Sequence, residues 1–257
     1  MFENKIIFES FDPIFSDKSI RPTPAAINIP EWYKKLPNHH GEPSLNQRTI
    51  KMCMPFLDAI STGYVIKNQQ EFVINQQVIN PNYKEEGPSL WFGMNPDLDI
   101  TFRGRGIPVE LTAGIQHKHN PQQLGGKEGG CPYVKQNHNQ PFLKLINPWI
   151  IRVPKGYSVL FLPVINKLDS KFTPLAGVVD CDTYNLPVNF PCIIHHKGTF
   201  TIEKGEPIVT AIPFKRESWK AVFKEGNLKE WRRGSWSQSS FFQNTYKRFF
   251  RSKKSWK

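Results

Sequence analysis

The chain has 257 residues, including 22 prolines and 17 glycines, and a formal net charge of +12. A chain of this length buries roughly three quarters of its unfolded surface, so one large domain with extensions is sufficient. The first residues lack the basic and apolar regions of a signal peptide, and no apolar run approaches the roughly 20 residues that span a bilayer. We therefore expect an intracellular protein without a transmembrane segment.

The positive charge is concentrated at the end of the chain. Residues 215–257 contain 13 Lys and Arg but only three Glu, and the remaining 21 basic and 19 acidic residues nearly cancel. Any attraction to nucleic acid or to another anionic partner therefore belongs to the last 43 residues.

The first 44 residues predict an N-terminal arm. Short apolar clusters alternate there with turn residues, which fits a segment lying on the main domain or on a neighbouring subunit. Within this arm, Ile29 to Leu36 predicts one helical turn behind Pro30, which is tolerated at the start of a helix. We expect Trp32 and Tyr33 to anchor that turn.

Residues 45–215 predict a mostly-β domain, because proline and glycine divide the chain into short apolar segments rich in Phe, Val and Ile. The apolar runs at 52–57, 64–66 and 72–74 are separated by turns and indicate a hairpin. A short strand is expected around Trp91, and further strands at 142–151 and 157–165.

The stretch 103–141 shows no clear periodicity. Its glycine clusters, RGRG at 103–106 and GGK at 125–127, match neither the P-loop nor the dinucleotide-binding pattern. A long irregular stretch inside a compact domain is usually functional or disordered. It is where we would first look for a site made from loops.

The segment from Pro174 to Trp219 organises the predicted domain. An acidic turn at Asp180 and Asp182 follows an apolar run, and residues 199–202 alternate polar and apolar side chains, as a half-buried strand does. A turn at 203–206 then leads into the apolar run 207–214, which predicts a buried strand closing the same sheet.

The last residues, 216–257, predict a basic helical tail. Trp219, Val222 and Phe223 lie near helical spacing, although Gly226 interrupts a helix, and the aromatic residues of 240–257 recur at amphipathic intervals. Such a tail can bind single-stranded nucleic acid, an anionic membrane or a protein partner, or pack on its own subunit. The candidate binding residues are Arg232, Arg233, Lys247, Arg248, Phe249, Arg251, Lys253 and Lys254.

Five blocks of the sequence resemble an uncharacterised protein family of tailed phages, especially marine ones, and of some bacteria. This resemblance covers most of the chain up to about Lys220 and implies a location in the host cytoplasm or the virion, but no activity. The blocks are IPEWYKKLP at 29–37, TIKMCMPFLDAISTGYVI at 49–66, NPWIIRVPKGYSVLF at 147–161, PLAGVVDCDTYNLPVNFP at 174–191 and EKGEPIVTAIPFKRESW at 203–219.

The succession GYVI, VPKGYSVLFLP, GVVDCDTY and FTIEKGEPIVTAIPF is also similar to the strands and turns of dUTPase-like β-clip enzymes. By position, this resemblance implies Asp180 as the general base and Tyr184 as the ring that stacks on a sugar, with Asp182 and Asn189 as further candidates. LPVINKLDS stands where those enzymes hold phosphates, and Tyr184 lies one residue late. The resemblance thus implies a shared scaffold without the chemistry, and turn carboxylates that accept backbone hydrogen bonds are the alternative.

Three histidines form a weaker candidate site. His117 and His119 are spaced to share one face of a strand, and His195 lies on an expected neighbouring strand. An HxH followed by a PxG turn is similar to the cupin pattern for binding a divalent metal. Val159 stands where the second cupin motif has a histidine, so surface histidines without metal are the alternative.

We therefore predict a mostly-β protein, a β-sandwich or β-clip-like barrel over 45–215 with an arm over 1–44 and a tail over 216–257. Arms exchanged between subunits cover sheet edges, so a homo-oligomer is expected, a trimer by analogy with β-clip proteins. The leading hypothesis is a non-catalytic structural or assembly protein without a cofactor, docking through its tail to a protein partner or nucleic acid. A nucleotide-binding or nucleotide-hydrolysing protein and a cupin-like metal enzyme are the alternatives.

Overall fold

The computed structural model describes residues 4–10, 16–41, 48–69, 71–76, 90–92, 101–104, 107–110, 115–116, 142–196, 199–239, 246–252 and 254–256. The fold is mostly β, as predicted. Its strands are β1 (Ile7–Glu9), β2 (Thr23–Pro24), β3 (Tyr64–Lys67), β4 (Phe72–Gln76), β5 (Leu90–Phe92), β6 (Thr101–Gly104), β7 (Ile107–Glu110), β8 (Ile115–Gln116), β9 (Phe142–Leu145), β10 (Ile150–Arg152), β11 (Tyr157–Pro163), β12 (Phe172–Pro174), β13 (Gly177–Val179), β14 (Phe190–Ile194), β15 (Thr199–Ile202) and β16 (Pro207–Lys215).

Helices are short and lie outside the strand-rich part of the sequence. The α-helices are α1 (Glu31–Lys35), α2 (Met54–Ile60) and α3 (Leu228–Ser239), and 3₁₀ turns occupy Ala25–Asn28 and Ile50–Met52. In the described part of the chain, no helix is long and apolar enough to cross a membrane.

Contacts divide the chain into two compact units. Unit 1 comprises residues 1–23 and 64–215, and unit 2 comprises residues 24–63 and 216–257. Unit 1 therefore contains nearly all of the strands, whereas unit 2 joins the segment that carries α1 and α2 to the C-terminal tail.

The central sheet of unit 1 is built on the antiparallel pair β11 and β16. Their register runs from Tyr157 opposite Lys215 to Pro163 opposite Val209, and β13 and β3 flank the pair. A second sheet has the order β12-β14-β9-β8, and a third has the order β15-β4-β5. The described strands form open sheets rather than a closed barrel.

Two neighbouring chain segments pass from the central sheet to the third sheet near Asn68: β3 continues into β4, and β15 continues into β16. β3 pairs with β16, whereas β4 pairs with β15, so both connections change sheet at the same level. The Asn68 amide donates to the carbonyls of Ile202 and Glu203, and the Gly205 N–H donates to the Asn68 carbonyl at 2.8 Å. These hydrogen bonds satisfy buried backbone groups that the bend removes from the strand ladder.

The bend corrects two predictions. Residues 64–66 and 72–74 do not form a hairpin with each other, and the run 207–214 does not close the sheet that contains Thr199–Ile202. Alternation of polar and apolar residues shows which face of a strand is buried, but not which neighbour it pairs with. The partner is set here by the corner at Asn68.

One hydrophobic core joins the sheets of unit 1. Apolar side chains from the first, second and third sheets are buried in a single cluster, and the rings of Phe161 and Phe190 lie 5.6 Å apart between two of these sheets. Its members are Ile66, Leu145, Trp149, Ile151, Val159, Phe161, Phe172, Cys181, Phe190, Cys192, Ile194, Phe200, Ile202, Ile208, Val209 and Ala211.

Unit 2 is organised by aromatic contacts between α1 and α2. α1 confirms the predicted turn behind Pro30, and Tyr33 is buried, while Trp32 is half exposed. The Tyr33 ring stacks on Phe56 of α2 at 5.5 Å. The apolar run at 52–57 enters this helix because Pro55 lies in its first turn, where no backbone N–H is needed.

The tail differs from the amphipathic helix predicted over 240–257. Its described helix is α3, which begins after Asn227, whose side chain accepts from the Lys229 N–H at 3.0 Å as an N-cap. Tyr246–Phe250 form a single π-helical turn, and the described residues after Phe250 have no regular structure.

Candidate functional site

The acidic turn lies directly after β13. Asp180 accepts a 2.6 Å hydrogen bond from the hydroxyl of Ser158, a buried residue of β11. Its backbone carbonyl accepts from the N–H groups of Thr183 and Tyr184. Asp180 thus fastens the turn to the central sheet.

Asp182 makes a second attachment, to the turn that precedes the same strand. Its carboxylate accepts from the Gly156 N–H at 2.9 Å, at the turn that precedes β11, where Gly156 has a φ of +87°. The structure therefore brings both predicted carboxylates to the start of β11. Asp180 holds the acidic turn against β11, and Asp182 holds it against the turn that precedes β11.

The two other candidate nucleotide-binding residues, Asn189 and Tyr184, have different environments. Asn189 accepts from the backbone N–H of Asn147 at 3.0 Å and orders the connection between β9 and β10. Tyr184 is partly exposed. Asp180 and Tyr184 are both exposed at this turn, and Tyr184 follows Asp180 by four residues, one more than in the β-clip pattern.

A small cleft lies beside the loop that follows β11. Its cavity volume is only about 40 Å³, and it is lined in part by Lys167, Ser170, Thr173 and Ile208. The Lys167 ammonium lies 2.5 Å from a Glu206 carboxylate oxygen. Because this neighbouring carboxylate compensates its charge, Lys167 is poorly suited to hold a phosphate.

Of the three histidines of the predicted metal site, the structure describes only His195. His195 is exposed, and its Nε2 lies 2.7 Å from the Thr173 hydroxyl. His117 and His119 lie outside the described residues. Among the residues that are described, no three His, Cys, Asp or Glu side chains are grouped to hold a metal ion.

The main charged cluster of unit 2 is centred on Asp58. This residue of α2 is only 7% exposed. Its carboxylate accepts from Arg251 Nη2 at 2.6 Å to Oδ1, and from Arg251 Nε at 3.1 Å to Oδ1 and 3.2 Å to Oδ2. Lys254 donates to Oδ2 at 2.9 Å. The Arg251 hydrogen bond lowers the pKa of Asp58 although burial opposes this shift. Two predicted tail-binding residues are thus engaged within their own unit.

Sequence analysis did not identify Asp58. The signal was present, because Asp58 is the single charged residue of the apolar helix MPFLDAI. A charge within an apolar helix is rarely buried without a partner.

The remaining basic residues of the tail face solvent beside exposed rings. Arg232 and Arg233 are exposed on α3 next to Trp231, and Lys247 and Arg248 are exposed in the π-helical turn. Phe249 is 68% exposed in the same turn. Lys253 lies outside the described residues.

We call Trp231, Arg232, Arg233 and Lys247 to Phe249 the cationic–aromatic surface. It combines ammonium and guanidinium groups, which bind phosphates, with aromatic rings, which stack on bases. Single-stranded nucleic acid presents both phosphates and unpaired bases. From Trp231 to Lys257 the sequence contains no acidic residue, so no carboxylate of this segment competes for the cations.

No protein-family model matches the sequence, and no curated protein matches it either.

Proposed function

We propose that this protein is a non-catalytic structural or assembly protein of the tailed-phage type, which docks to single-stranded nucleic acid through its cationic–aromatic surface. One observation carries the proposal: exposed Arg and Lys side chains adjoin exposed Trp or Phe rings both on α3 and in the π-helical turn, within a segment without acidic residues. Charge supplies affinity for phosphates, and stacking supplies sequence-independent contact with bases.

The acidic turn supports the non-catalytic part. A general base must reach a substrate proton, and an electrostatic site must keep its groups aimed at a ligand. Asp180 instead accepts a hydrogen bond from Ser158 of the central sheet, and Asp182 accepts one from Gly156 in the turn that precedes β11. A scaffold role for unit 1 accounts for both contacts.

The test is binding of a fluorescent 20-nucleotide single strand to the full-length protein at low salt, followed by anisotropy. We expect Arg232→Gln/Arg233→Gln and Lys247→Gln/Arg248→Gln each to weaken binding about tenfold, because each removes two phosphate contacts. The matched control is Lys18→Gln/Lys155→Gln, which removes two exposed charges from unit 1. Equal losses in all three variants, or no binding by the wild type, would refute nucleic-acid docking.

The phage-type assembly role is supported by the extent of the sequence resemblance, and a β-clip-like or sandwich arrangement by the single core shared among the sheets of unit 1. We propose that the protein works as a homo-oligomer in the host cytoplasm or in the virion. Mass spectrometry of purified particles of the encoding phage should find the protein in stoichiometric amount if it is structural.

A nucleotide-hydrolysing function is the second candidate, favoured by the exposure of Asp180 and Tyr184 at one turn. It predicts thermal stabilisation by deoxynucleoside triphosphates and hydrolysis that Asp180→Asn abolishes. Under the scaffold proposal, millimolar nucleotide leaves the melting temperature unchanged.

A further inference from the structure

The segment from Arg216 to Glu225, which we call the docking segment, leaves the central strand β16 and enters unit 2 without regular secondary structure. Trp219 is 89% exposed, Val222 is 68% exposed and Phe223 is 96% exposed. Large apolar side chains grouped in this way mark interaction surfaces on soluble proteins. The docking segment is therefore a candidate interaction surface.

The order of charges in the docking segment indicates what that partner is. The segment begins with Arg216-Glu217 and ends with Lys224-Glu225. If two copies run antiparallel about a two-fold axis, Arg216 faces Glu225 and Glu217 faces Lys224, and symmetry repeats both pairs at the other end. In the same register, Trp219 faces Val222 of the second copy.

We propose that the docking segment is an isologous interface between two copies of this chain. The area is adequate: two aromatic side chains bury about 150–250 Å² each, so the two copies contribute roughly 600–1,000 Å², to which Val222 adds. Flanking residues bring the total to the lower bound of about 1,200 Å² for specific interfaces. Such an area fits a dimer that forms at micromolar concentration.

In the proposed interface, the apolar side chains provide the binding energy, and the charged residues at the two ends of the segment determine the register. Trp219 and Phe223 supply the buried centre, where most interface energy is located. The exposed charged pairs lie at the rim and select the antiparallel register, because like charges oppose any alternative pairing. This inference rests on the homo-oligomer of the proposed function but not on nucleic-acid binding.

The test is the mass of the full-length protein by sedimentation equilibrium from about 1 to 100 μM. We expect a dimer that Trp219→Ala/Phe223→Ala dissociates at least 100-fold more readily. Lys224→Glu/Glu225→Lys should raise the dissociation constant about tenfold, and adding Arg216→Glu/Glu217→Arg should restore it, because opposite charges then face each other again. The thermal unfolding of each variant controls for loss of the fold.

A wild type that remains at 29.7 kDa throughout this range would overturn the proposed interface. So would a dimer whose dissociation constant is unchanged by Trp219→Ala/Phe223→Ala, or a charge reversal without rescue. A dimer that dissociates as expected and binds no single-stranded DNA would support the interface and refute the nucleic-acid part of the proposed function.

Discussion

Single residues fix the corner of unit 1. Gly205 adopts a φ of +80°, in the left-handed region that glycine enters without steric cost, and its N–H donates to the Asn68 carbonyl. Lys204 pairs with Asp17 at 2.6 Å beside this turn, and its hydrogen bond lowers the pKa of Asp17 to about 2. The turn that sends β16 into the central sheet is thus held by a backbone conformation and by an ion pair.

Replacing Gly205 by alanine is expected to destabilise the protein by about 1–2 kcal/mol, the cost of a left-handed conformation for a residue with a Cβ. A Cβ at this position would lie 3.5 Å from the Ser19 carbonyl oxygen, an ordinary contact, so the cost arises from the backbone. Urea unfolding measures the difference. Gly177→Ala is the matched control, since its Cβ meets nothing within 4 Å, and an equal loss in both variants would contradict this explanation.

The elements differ in how well the sequence predicts them. Residues 199–202 and 207–214 were predicted as strands from their apolar pattern, and the helical turn behind Pro30 from a single proline. The pairing of those strands was not predictable, because Asn68 selects it through hydrogen bonds between distant residues. The position of α3 within the predicted helical tail was not foreseen, because Gly234 and three serines weaken its helical pattern, although Asn227 caps it.

In the candidate sites too, local structure was predictable from the sequence, whereas partners from distant parts of the chain were not. Asp180 and Asp182 were predicted to lie in a turn, and they do, but their partners, Ser158 of β11 and Gly156 of the turn before it, lie more than twenty residues earlier. Local sequence cannot show that a carboxylate is already engaged by a distant donor. For the same reason, Asp58 was missed as the partner of Arg251.

The contact between α2 and the tail should weaken at acid pH. Because the folded-state pKa of Asp58 is lowered, its contribution to stability is complete above the unfolded carboxyl pKa of about 4 and is lost as pH falls through the folded pKa. Asp58→Asn removes this contribution at every pH. The difference in unfolding free energy between wild type and Asp58→Asn should therefore shrink between pH 6 and pH 3.

The same experiment has an internal control. Glu31 forms an exposed pair with Lys34 on α1, and Glu31→Gln should change stability by less than about 1 kcal/mol. A difference between wild type and Asp58→Asn that stays constant down to pH 3 would show that Asp58 does not hold the tail through its charge.

In the whole molecule, the hydrophobic core and the excess positive charge lie in different parts of the chain. Outside residues 215–257 the chain is nearly neutral, and unit 1 carries the buried core, whereas the excess charge lies in the tail. Within the tail, Arg251 and Lys254 bind Asp58, while Arg232, Arg233 and Lys247 face solvent. Basic residues of one short segment thus have two environments: some pair with Asp58 within unit 2, and others are exposed to solvent.

The most direct measurement is the salt dependence of single-stranded DNA binding by the full-length protein. Four tail cations on phosphates predict that log K falls with log salt at a slope of about −3, since each contact on a single strand contributes about −0.7. Neutralising Arg232, Arg233, Lys247 and Arg248 together should bring the slope close to zero. A slope that is unchanged in this variant, with its thermal stability intact, would contradict the account.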